Sequence, residues 1–195
     1  MKLLFPTLIH EVTVPTFKQI ESDLIKFAYQ EKKKDSVGVI ISNQGGWQSN
    51  SLDFDNILSK VIIESVEKYF ITTRILNEGV VVRFNNIWVN INKRGAYNVK
   101  HDHPNCDLSG VLWIKIPKDS GDIIFENPMG FHEFNQIHSY NKDWKDKINL
   151  HHSYWFPPEE GKVLIFPSYL MHQVTVSKSN KDRISASFNI TLMEE

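Results

Sequence analysis

Among 195 residues there is one cysteine, Cys106. A single thiol excludes an internal disulfide framework and fits a reducing compartment, so stability has to come from a packed core. Neither sign of charge is in excess: 22 Lys and Arg stand against 23 Asp and Glu. That balance argues against a nucleic-acid footprint and against attraction to an anionic lipid surface. The one basic run, EKKKD from Glu31 to Asp35, is bracketed by acids and reads as the solvated end of a helix. Long apolar runs are also missing, and none approaches the roughly 20 residues that a membrane span requires. The opening MKLLFPTLIHEVTV is interrupted by Pro6 and His10 and has no small-residue cleavage site behind it. It reads as a first strand, not an export signal, and the expected compartment is the cytoplasm.

What is present belongs to a folded protein. The chain is 41% hydrophobic and 23% charged, and its length suits one domain spanning residues 1–195. Residues 1–75 carry the first strand and two amphipathic helices. Phe17, Ile20, Leu24 and Phe27 recur at spacings of three and four, as do Ile57, Leu58, Val61, Ile62, Val66 and Tyr69. Between them GVIISNQGGWQSNSLD predicts a short strand and a Gly-rich turn around Trp47. From Gly79 the period changes. VVVRFNNIWVNIN, GVLWIKIP, GDIIFENP, GKVLIFPS, MHQVTVS and RISASFNITLM are rich in β-branched and aromatic residues and are separated by Gly, Pro, Asn and Asp. Short strands in this number predict an antiparallel sandwich or barrel, mainly β, with two helices on its outside to make an α+β protein. The segment 129–160 has no period and reads as a long loop. Its Trp144, Tyr154 and Trp155 suit either a lid over a substrate groove or packing on the sheet.

The candidate chemistry lies in the histidines. His10, His132, His138, His151 and His152 fall in the first strand or the long loop, where nothing marks them as ligands. His101 and His103 differ, because in an extended segment they face one side and Asp102 the other. A lone H-x-H is a weak signal. His172, at the end of GKVLIFPSYLMH, strengthens it if its strand lies across the barrel from the pair, for then three imidazoles converge. Arg183 and Ser185 share a face by the same alternation. A buried Arg is costly unless it meets an anion, and its planar fork suits a carboxylate; the plainer reading is a surface Arg paired with Asp182. Cys106 is either a nucleophile beside the histidines or an idle loop thiol.

Taken in order, HDHP at His101 to Pro104, SGV at Ser109 to Val111, FPSYLMH at Phe166 to His172 and RISASFN at Arg183 to Asn189 resemble the iron(II)- and 2-oxoglutarate-dependent oxygenases. More narrowly they resemble a bacterial and phage branch, which GGWQSN at Gly45 to Asn50, with Trp88 and Asn90, also matches. The resemblance implies a double-stranded β-helix, a jelly-roll or cupin-like core over residues 79–195. It implies a dioxygenase, or hydroxylase, that couples oxidative decarboxylation of 2-oxoglutarate to oxidation of an unidentified substrate. It implies Fe(II) as cofactor and 2-oxoglutarate as small-molecule co-substrate, and leaves room for ascorbate. The compartment would be the cytoplasm of a bacterial host if a phage carries the gene. His101 and His172 would be iron ligands, and Arg183 with Ser185 would bind the distal carboxylate of 2-oxoglutarate. The wider superfamily has a carboxylate two residues after the first His, where this chain has His103. A set of His101, His103 and His172 keeps a facial geometry but leaves the ion more positive by one charge, and zinc is also at home in it. Asp102 is the alternative third ligand if the strand bulges at Pro104. Two rival functions remain: a cupin-like three-histidine metalloenzyme without 2-oxoglutarate, and a non-enzymatic jelly-roll binding module.

Overall fold

The computed structural model describes residues 5–129 and 139–194. Along the chain run β1 (His10–Thr13), α1 (Phe17–Lys34), β2 (Asn43–Gln44), β3 (Trp47–Gln48), α2 (Ile57–Thr73), β4 (Val80–Asn92), β5 (Tyr97–His101), β6 (Leu108–Lys115), β7 (Ile123–Glu126), α3 (Lys142–Lys147), β8 (Ser153–Phe156), β9 (Lys162–Pro167), β10 (His172–Val174) and β11 (Arg183–Glu194). They form a six-stranded sheet in the order β1-β9-β6-β11-β4-β3 and a five-stranded sheet in the order β2-β5-β10-β7-β8. Every pairing is antiparallel. The expected class holds: mainly β, with a double-stranded β-helix core and two N-terminal supporting helices. No helix among the described residues is long and apolar enough to cross a membrane.

The helices form where the spacing predicts. The Asn56 side chain caps α2 by accepting from the Ser59 N–H at 2.9 Å, which satisfies one of the amides that a helix start leaves open. Leu24 and Ala28 of α1, and Leu58, Ile62, Val66 and Phe70 of α2, pack on the outer face of the six-stranded sheet. That face is supplied by alternate residues, Ile87, Val89 and Ile91 of β4 and Ile184, Ala186 and Phe188 of β11. His10 joins this side of the molecule, its Nδ1 lying 3.0 Å from the Tyr69 hydroxyl.

The opposite face of the same strands looks toward the five-stranded sheet. Near β6 and β9 it is apolar, with Val111, Trp113, Leu164 and Phe166 packed against Ile123 and Phe125 of β7. Near β4 and β11 it is polar: Trp88, Asn90 and Asn92 stand opposite Ser187, Ser185 and Arg183 in register. One end of the sandwich is therefore filled with hydrocarbon and the other is left as a polar cleft.

Two segments differ from expectation. In GVIISNQGGWQSNSLD the run Val39, Ile40 and Ile41 makes no strand, and Ile40 and Ile41 are exposed. The pairing shifts onward to β2 and β3, because the Gly45 turn (φ 68°) delivers Asn43 to β5 and Trp47 to β4. The aperiodic 129–160 segment contains α3 and β8. A four-residue strand paired to β7 on one side only is too short to show alternation, and Trp155 on it is more than half exposed. Trp144, on α3, stacks on Tyr140 at 5.4 Å. His132 and His138 lie outside the described residues.

Gly110, in the SGV motif, shows how tightly the sheet meets its own core. A Cβ there would collide with the Phe188 ring and come within 2.7 Å of the Leu164 carbonyl oxygen. Beside it the Ser109 hydroxyl donates to Asn189 Oδ1 at 2.8 Å, which links the SGV and RISASFN motifs. Replacing Gly110 by Ala is expected to lower the unfolding free energy by about 1–3 kcal/mol, the usual cost of overpacking, as measured by chemical denaturation.

Candidate metal centre

His101 ends β5 and His172 opens β10, and the register sets them directly opposite each other. They are neighbours in one sheet, not partners across the barrel as the sequence suggested. Val174 pairs with Asn98, so three steps on β5 match two on β10. This bulge turns both Asn98 and His101 toward the cleft, which strict alternation forbids for residues three apart. It also presents the Val99 carbonyl oxygen 2.7 Å from His101 Nδ1. The Leu170 carbonyl oxygen lies 2.9 Å from His172 Nδ1. A carbonyl can only accept, so each Nδ1 carries the proton and each Nε2 turns a lone pair to the cleft, the form that binds metal.

His103 arrives from the turn after β5. Its backbone N–H donates to the Ser168 carbonyl at 2.9 Å, and Ser168 N–H donates to the Asp107 carbonyl at 3.0 Å. The Ser168 hydroxyl also donates to the Cys106 carbonyl. Cys106 Sγ lies 3.3 Å from the His103 carbonyl oxygen, so the thiol helps brace this turn. Asn105 closes it at φ 66°. The His103 ring sits 6.0 Å from that of Trp88, and its Nε2 lies 3.4 Å from His172 Nε2.

The ligand atoms of His101, His103 and His172 all fall within 4.8 Å of one another. Two imidazole nitrogens bound at right angles to one ion at about 2.1 Å stand about 3 Å apart, so the set is close to closed around a cation. Burial first, and then the neighbouring His101, push the His172 imidazole down to about 3 and the His103 imidazole down to about 4. Burial lowers His101 as well. Three neutral rings with converging lone pairs suit a metal ion. Asp102 is exposed and stands outside the cluster.

Arg183 and Ser185 line the same cleft. Arg183 is 3% exposed, and its Nε and Nη1 have no hydrogen-bond partner. The surface pairing with Asp182 does not form, since Asp182 accepts instead from the Tyr29 hydroxyl at 2.9 Å. Burial lowers the guanidinium to about 10, a fall that the charge of Asp122 resists, so the group stays cationic at neutral pH. A buried cation with two unused donors suits an anion.

Ser42, Asn90, Asn92 and Asn98 also line the cleft and were given no role from sequence. A signal was there for two of them. In a strand whose odd positions, Ile87, Val89 and Ile91, are fully apolar, the polar Asn90 and Asn92 mark the second face as a site and not as core. Asn98 needed the bulge, which no pattern on one strand reveals.

Solved structures similar to this one share its architecture at low identity. They include a prolyl-4-hydroxylase from Pseudomonas putida (TM-score 0.66, 13% identity, covering 95% of this chain and 92% of that one). A viral collagen prolyl hydroxylase from Paramecium Bursaria Chlorella virus-1, in complex with 2-oxoglutarate, is similar too (0.58, 15%, 93% and 94%). So is HygX from Streptomyces hygroscopicus, with nickel, 2-oxoglutarate and hygromycin B bound (0.61, 10%, 95% and 83%). No curated protein matches at the level of sequence. The model of the family described as "Putative 2OG-Fe(II) oxygenase" matches residues 86–189, a stretch that contains the three clustered histidines, the buried arginine and Ser185. On that match, which covers more than half of its length, the chain belongs to the 2OG-Fe(II) oxygenase family.

Proposed function

We propose that the protein is a 2-oxoglutarate- and Fe(II)-dependent dioxygenase that couples oxidative decarboxylation of 2-oxoglutarate to oxidation of a primary substrate. His101, His103 and His172 would hold the iron, and Arg183 with Ser185 the distal carboxylate of the keto acid. One observation carries the reading: a converging three-nitrogen donor set and a buried guanidinium with two unused nitrogens occupy one cleft. A cupin-like metalloenzyme without a keto acid would use the histidines but leave Arg183 with nothing to bind, at a cost of several kcal/mol for an unpaired buried charge. A non-enzymatic module would account for neither.

The residues fit the group they would receive. Imidazole suits Fe(II), and three protein donors would leave coordination positions for a chelating co-substrate. Because all three donors are neutral, they would leave the ion's charge to be met by an anion, which favours a doubly charged keto acid. When bound, Fe(II) and 2-oxoglutarate supply the activation of dioxygen that side chains cannot provide. The chain's own work is positional. The Val99 and Leu170 carbonyls fix two rings, and the Ser168 carbonyl anchors the backbone that carries the third. Phe125 and Phe166, with ring centroids 5.8 and 4.9 Å from His172, shield its buried side from water. Arg183 offers a forked pair of N–H donors to a carboxylate at the far end of the cleft.

Under anaerobic reconstitution the wild type is expected to bind Fe(II), and His103→Ala or His172→Ala to weaken that binding at least about 100-fold, or about 2.7 kcal/mol. Asp102→Ala should change it less than about twofold. Loss of metal in Asp102→Ala with retention in His103→Ala would reassign the third ligand. Failure of the wild type to hold metal would remove both enzymatic readings.

Arg183→Met separates stability from function. Removing an unpaired buried charge is expected to leave the apo thermal midpoint unchanged or raised, while 2-oxoglutarate-dependent succinate release, assayed with Fe(II) and ascorbate, disappears. Substrate turnover that needs no keto acid would favour the cupin-like reading.

A further inference from the structure

Three carboxamide oxygens on β4 have no hydrogen-bond partner: those of Asn86, Asn90 and Asn92. Two have local explanations. The Asn92 oxygen packs against Gly46, where an added Cβ would collide with it. Asn86 stands opposite Asn189, outside the lining of the cleft. Asn90 is different, for it is 7% exposed, lines the cleft and stands opposite Ser185.

Its place along the strand is midway. Two residues one way lies Trp88, which meets the His103 ring; two residues the other way lies Asn92, opposite Arg183. Each step of two residues is about 7 Å. A molecule reaching from the histidines to the guanidinium must pass Asn90.

The carboxamide is also free to choose what it presents. Asn90 Nδ2 lies 3.1 Å from Ser187 Oγ, and a hydroxyl donates as readily as it accepts. If the amide turns over, Oδ1 accepts from the Ser187 O–H and Nδ2 faces the cleft, with no bond lost. A dicarboxylate keto acid brings only acceptors, so it selects that orientation.

We propose that Asn90 is a further contact to the co-substrate, its Nδ2–H donating to a carboxylate oxygen of the bound keto acid. The proposal rests on the oxygenase reading. It adds a neutral, orientable donor between the metal end and the guanidinium end of the cleft, with Ser187 as the residue that positions it.

The test is calorimetric titration of 2-oxoglutarate into Ni(II)-loaded protein, which reads binding without turnover. Asn90→Ala should weaken binding about tenfold, the loss of one hydrogen bond to a charged group. Asn90→Asp, equal in shape but setting a carboxylate against a carboxylate, should weaken it about 100-fold or more. Ni(II) affinity should be the same in all three proteins, which a general loss of structure would not allow. Binding by Asn90→Asp within about twofold of wild type overturns the proposal; if that variant does not fold, a loss below about twofold in Asn90→Ala overturns it. Arg183→Met keeps the two readings apart. Wild-type binding that Arg183→Met abolishes and Asn90→Asp leaves intact removes Asn90 alone, whereas no wild-type binding, or binding indifferent to Arg183, removes the oxygenase reading and this proposal together.

Discussion

The pairing of β4 with β11 is the constraint on which the site depends. These two long strands lie side by side from Asn92–Arg183 to Val80–Glu194 and sort their residues into two faces. Ile, Val, Ala and Phe go to the side that the helices cover, so the hydrophobic drive holding α1 and α2 in place also holds the other face in register. That other face carries Asn, Ser, Trp and Arg, and it is the wall of the cleft. A slip of one residue would bury the polar set under the helices and expose the apolar set to the cleft. Folding and site construction are thus one event, because the residues that would do the chemistry are oriented by the burial of their neighbours.

The two ends of the cleft differ electrostatically. One holds a buried guanidinium, and the other three imidazoles that burial keeps neutral. Neither end neutralises the other. A cation at the histidines and an anion at the arginine restore balance together, and each improves the setting for the other. A carboxylate in place of His103 would partly neutralise a cation held there; three neutral imidazoles would leave that charge to be met by an anion nearby.

Much of this was legible in the sequence for reasons that can be named. The helices were visible because Leu24, Leu58, Ile62 and Val66 face one large buried surface and so keep the helical period. The strands were visible because β-branched residues concentrate where both faces are covered. His101, His103, His172, Arg183 and Ser185 could be singled out because each is a polar residue where a strand pattern demands explanation. What escaped depends on relations between strands. The bulge that turns Asn98 inward exists only in the pairing of β5 with β10, and the adjacency of His101 and His172 only in their register. The brief β8 has one paired edge and too few residues to show a period.

The turn that carries His103 has one more consequence. It is laced to Ser168, just beyond the last residue of a strand in the six-stranded sheet, whereas His101 and His172 belong to the five-stranded sheet. An ion gripped by all three would therefore act as a clasp across the rim of the sandwich, tying the turn anchored on one sheet to two neighbouring strands of the other.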